Sequence, residues 1–118
     1  MSVYFHIAAE SVEEFEALES EGAPEVNCSN GAGMLIAEWL TGEPHAEVYA
    51  GSLDPAEVLG AFPAVIHIAM EWDADHEPKV RLGENGAEWN YLYMTQKVEG
   101  VREVLEAAQR IGRKVTWG

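Results

Sequence analysis

Between Met1 and Glu77 the chain has no lysine and no arginine, although sixteen acids fall in that stretch; the residues from Pro78 onward hold five acids and seven bases. Any face built from the first 77 residues is therefore electronegative, whatever the fold. Such a field repels nucleic acid, which requires basic surface for counterion release, and it repels anionic membranes. Cysteine is almost as scarce. A lone Cys28 excludes an internal disulfide and fits a reducing cytoplasm. Long apolar runs are missing too, since no window approaches the ~20 residues of a membrane span. The start, MSVYFHIAAES, has neither a basic segment nor an apolar stretch of signal-peptide type, so the expected location is cytoplasmic. Without a secretory signal the glycosylation pattern Asn27-Cys28-Ser29 carries no weight.

At 118 residues, one domain spanning 1–118 is expected. A hydrophobic fraction of 47% is ordinary for a globular chain and argues against disorder. Val3, Phe5 and Ile7 alternate with Tyr4 and His6, which predicts a strand over 3–8. Ser11 and Glu14 form a Ser-x-x-Glu capping box that opens a helix, with Gly22 and Pro24 closing it. Residues 25–33 have turn chemistry and read as a loop. Residues 34–40 (MLIAEWL) fit a helix stopped by Thr41-Gly42, or a buried strand, with helix favoured. A short strand over 47–50 comes next. Asp54-Pro55 then supplies an N-cap and first-turn proline for a two-turn helix ended by Pro63.

Residues 64–94 read as three strands, a central meander. In the first of them Ile66, Ile68, Met70 and Trp72 share one face. Asn85-Gly86 suggests a type I′ turn that pairs Leu82 with Trp89 and Val80 with Tyr91, so pattern and turn agree on register. From about Lys97 a helix follows on Val101, Val104, Leu105, Ala108 and Ile111, with Gly112 beyond its end. A last strand places Val115 and Trp117 on one side. The expected class is α+β, a mixed or mostly antiparallel sheet with helices packed mainly on one face.

No complete catalytic or cofactor motif is present. Glu71, Asp73, Asp75, His76 and Glu77 suggest oxygen ligands, but the calcium-loop glycine and closing glutamate are missing. His67 and His76 lack the tight spacing of a zinc site. A His67–Glu71 dyad could act as a general base, whereas a hydrogen-bonded structural histidine is the plainer reading for His67 and His6 alike. Cys28 has no basic sequence neighbour to activate it. No cofactor and no metal are expected.

The expectation is a small module that binds a basic protein, of inhibitor or immunity type. Its contact residues would be Glu71, Trp72, Asp73, Asp75 and Glu77, where acids meet an aromatic anchor. The bland alternative is a solvated acidic surface that maintains solubility. Two other classes remain open: an enzyme or metal-dependent protein using His67, Asp73, Asp75 and His76, and a self-associating domain. The strand with Trp89, Tyr91 and Tyr93 on one face and Asn90, Leu92 and Met94 on the other suggests a sheet apolar on both faces, hence a homodimer through it.

Overall fold

A computed structural model describes residues 2–43, 50–75 and 92–118. Four strands, β1 (Ser2–Ile7), β2 (Val26–Ser29), β3 (Gly51–Leu53) and β4 (Val115–Trp117), form one sheet in the order β2-β1-β4-β3. Every neighbouring pair is antiparallel. With α1 (Val12–Ser20), α2 (Asn30–Thr41), α3 (Pro55–Val58), α4 (Phe62–Asp75) and α5 (Tyr93–Arg110), the chain is α+β. A 3-10 turn, Leu59–Ala61, joins α3 to α4. Among the described residues no helix is long and apolar enough to cross a membrane.

The alternation in β1 sets the sheet's sidedness. Val3, Phe5 and Ile7 are buried, and Tyr4 is exposed. The register brings Cys28 beside Val3, Val26 and Trp117 beside Phe5, and Val115 beside Ile7. One face is therefore apolar, with the Phe5 and Trp117 rings stacked at 6.0 Å. Helices α2 and α5 pack on that face. On α5 the buried stripe is Met94, Val98, Val101, Val104, Leu105 and Ala108, the helical spacing expected of a core-facing surface. The opposite face carries Tyr4, His6, Asn27, Ser52 and Thr116. It is polar; of the strand over 89–94 that suggested a homodimer, residues 89–91 lie outside the described residues.

Several local expectations need correction. The first strand of the proposed meander is helix α4, buried through Phe62, Val65, Ala69 and Asp73 at spacings of three and four. Apolar residues fall on nearly every position of FPAVIHIAM, so an alternating pattern can be drawn through a helix. The exposures of Ile68 (38%) and Met70 (54%) contradict the strand face drawn through them. Pro63 does not end a helix; it lies in the first turn of α4, where a missing N–H costs no intrahelical bond. The Asn85-Gly86 hairpin lies outside the described residues, but its last residues, Tyr93 and Met94, open α5 instead. That helix starts four residues before Lys97, and Ile111 is its exposed C-cap rather than part of the stripe.

The loop expected over 25–33 is β2 plus the first turn of α2. Ser29 caps that helix by accepting the Ala32 N–H at 3.3 Å. The favoured helix over 34–40 is the body of α2, and it stops at Gly42 in the left-handed region. Of the strand expected over 47–50, residues 47–49 lie outside the described residues and Ala50 is not in a strand; β3 begins at Gly51.

Candidate functional site

Helical geometry disperses the acids that the sequence lists in a row. Glu71 and Asp75 are exposed on the last turns of α4. Trp72 is half-buried, its ring edge-on to Trp39 at 5.9 Å. Asp73 is turned inward and only 8% exposed. Its Oδ1 accepts the Met94 N–H at 3.1 Å. Its Oδ2 accepts the Thr95 N–H at 2.8 Å and the Thr95 hydroxyl at 2.6 Å. Asp73 thus caps α5 from the neighbouring helix, satisfying first-turn donors that lack intrahelical partners. Glu77 lies outside the described residues. Of the five proposed contact residues, two therefore stand as exposed carboxylates.

The His67–Glu71 pair does form, Nε2 to Oε1 at 3.0 Å, as an i,i+4 pair with both side chains mostly in water. His6 bonds the Thr116 hydroxyl at 2.8 Å across β1 and β4, the structural role expected of it. His76 lies outside the described residues. Among the described residues no group of three or more His, Cys, Asp or Glu side chains is placed to hold a metal ion.

Cys28 is buried in β2, its thiol directed at the Val3 carbonyl. Burial pushes the thiol up to about 11, with the Lys97 charge opposing that rise. The fold thus supplies a basic neighbour that the local sequence lacks, yet the group stays a thiol at neutral pH, the unreactive form. Ser29 donates its N–H to the Tyr93 hydroxyl at 3.1 Å, and the Lys97 ammonium lies 5.4 Å from the Tyr93 ring centroid.

Among the described residues the densest exposed acid is elsewhere. Helix α1 and its flanks expose Glu10, Glu13, Glu16, Glu19, Glu21 and Glu25. No residue of α1 is buried, and two of its apolar side chains, Val12 (73%) and Phe15 (43%), face water. The helix is secured at its start: Ser11 accepts the Glu14 N–H at 3.1 Å, the capping bond the sequence suggested. At the far end of the chain Arg113 grips it, with Nε to Glu14 Oε1 and Nη2 to Glu14 Oε2 both at 2.7 Å, and Nη1 to Glu10 at 3.3 Å.

A shallow depression of about 340 Å³ lies between α1 and the polar sheet face, lined by His6, Ala8, Glu10, Val12, Phe15 and Thr116 among others. A second, smaller one on the other side of Phe15 is lined by Ile7, Leu18, Pro24, Glu19 and Glu25 among others. The signal for this face in the sequence was an apolar stripe of only Val12, Phe15 and Leu18, too narrow to bury a helix.

The bidentate Arg113 guanidinium holds the Glu14 carboxyl below the usual glutamate value of 4.5. A depressed folded-state value means that stability from this pair is present above the unfolded value and lost as pH falls through the folded one. Glu14→Gln is therefore expected to destabilise at pH 7 and to lose that deficit on acidification below pH 4.5, measured as the difference in urea midpoint between the two proteins. A deficit that persists unchanged at pH 3, well below the usual carboxylate range of about 4, would contradict the charge-pair account.

Compared with family models, with curated proteins and with solved structures, the chain finds no match in any of the three.

Proposed function

We propose that the protein is a non-catalytic, cytoplasmic binding module that captures a basic protein partner, in the manner of an inhibitor or immunity protein. The observation that supports this reading most is the exposed carboxylate set of α1 and its flanks, Glu10 through Glu25, in a part of the chain without a single lysine or arginine. Among the described residues, the ion pairs made by this set are those of Arg113 with Glu14 and Glu10. Glu71 and Asp75 extend the acidic surface to the end of α4. Charge arranged in this way accelerates encounter with a cationic partner and repels nucleic acid. The water-exposed His67–Glu71 pair gives the enzyme alternative little support.

Capture tests the reading. The protein immobilised at low ionic strength and exposed to a lysate of its source cells is expected to retain a basic protein that elutes as salt rises past about 0.3 M, where surface charges a Debye length apart are screened. Retention of only neutral or acidic proteins, or elution indifferent to salt, would overturn it.

A further inference from the structure

His6 and Phe15 line both depressions, and the two together are called the trough beside α1. Val12 and Phe15 give it an exposed apolar wall. Glu10, Glu19 and Glu25 line it directly, and no lysine or arginine is among the described residues that do. Among the described residues, the bases beside it include Arg113, paired with Glu14 and Glu10, and Lys114, whose carbonyl accepts the Ala8 N–H.

Such a lining selects its occupant by charge and by surface. A second copy of this chain would bring a net charge of −14 against the same carboxylates. A simple cation would leave Val12 and Phe15 in water. A segment that carries both lysine or arginine and a large apolar side chain satisfies both features.

We infer that the trough beside Phe15 is the docking groove for a basic segment of the partner, its large apolar side chain against Val12 and Phe15 and its cations against Glu19 and Glu25. The inference rests on the binding-module reading and adds to it where the contact is made and what the contacting segment must contain.

Two dye-labelled synthetic peptides of equal charge test it by fluorescence anisotropy at low salt, one alternating leucine and lysine, the other serine and lysine. The folded full-length protein is expected to bind the leucine peptide about tenfold more tightly than the serine peptide, the ratio that burying one large apolar side chain supports. Phe15→Ser and, separately, Val12→Ser are expected to remove most of that preference by weakening the leucine peptide far more than the serine peptide. Both positions are exposed, and circular dichroism of each variant is the check that it folds. The double variant Glu19→Gln/Glu25→Gln should weaken both peptides, and by more than Glu71→Gln/Asp75→Asn, whose carboxylates are not among the residues that line the trough. If the leucine peptide binds but ignores Phe15→Ser and Val12→Ser and responds instead to the α4 variant, the groove is wrong and the binding-module reading stands. If neither peptide binds, both fall.

Discussion

Asp73→Ala is expected to lower the unfolding free energy by about 3 kcal/mol, more than loss of an ordinary cap at ~1 kcal/mol. The carboxylate accepts three hydrogen bonds, two of them from the Met94 and Thr95 backbone at the start of α5. An ordinary cap is local and mostly solvated. Here the acceptor is buried and belongs to a different helix, so its removal leaves buried donors unpaired, at roughly 1–3 kcal/mol for such a group. The favourable placement of a negative charge at the positive end of α5 is lost as well. Asp73→Asn keeps one acceptor oxygen and should cost about half as much, consistent with the greater strength of hydrogen bonds to charged groups. Urea unfolding checks both variants; a loss under about 0.5 kcal/mol for alanine, the range of an unremarkable surface change, would show that the cap is not needed.

The second large effect lies where α2 meets β1. A Cβ on Gly33 would stand 2.7 Å from Val3 Cγ1 and 2.8 Å from Val3 Cβ. Rotating Val3 relieves the first contact but not the second, so Gly33→Ala forces α2 away from the sheet. Overpacking of this kind costs about 1–3 kcal/mol, against a gain of up to ~1 kcal/mol in helix propensity. A net loss of about 2 kcal/mol is expected. Gly100 is a useful contrast: its added Cβ meets Val26 Cγ2 at 2.7 Å but the Val26 Cβ only at 3.9 Å, so a side-chain adjustment suffices there. If the account of Gly33 holds, Gly33→Ala combined with Val3→Ala loses at least ~1 kcal/mol less than the two single losses together, a coupling of the size seen for residues in contact. Additive losses would place the cause elsewhere.

These two sites show what the sequence conceals. Asp73 reads locally as a turn-forming acid among other acids, and nothing near it indicates that its partners are Met94 and Thr95 on another helix. Glu14 is similar, because a capping-box reading is correct for the Ser11 bond while the Arg113 partner lies 99 residues away. The elements that were legible have strong local patterns. Strand β1 alternates cleanly, α1 has its Ser11 cap, and α5 repeats apolar residues at helical spacing. Strand β4 shows Val115 and Trp117 on one side. By contrast, α4 is apolar at so many positions that helix and strand periods both fit, and β2 owes its extended form to pairing with β1 rather than to its own residues. The acidic character of the surface was evident from composition, but its concentration around Phe15 depends on how α1 lies beside the polar face of the sheet.

The central claim, that this acidic surface steers a basic partner into contact, is tested most directly by the association rate of the captured partner as a function of salt. Stopped-flow measurement from 20 to 500 mM salt is expected to show a fall of at least about tenfold in that rate, the behaviour of electrostatically steered encounter. Glu13→Gln/Glu16→Gln/Glu21→Gln, exposed but outside the trough lining, should reduce both the low-salt rate and the steepness of its decline, with little change in dissociation. An association rate that stays flat across the salt range, and is the same in that variant, would contradict the account.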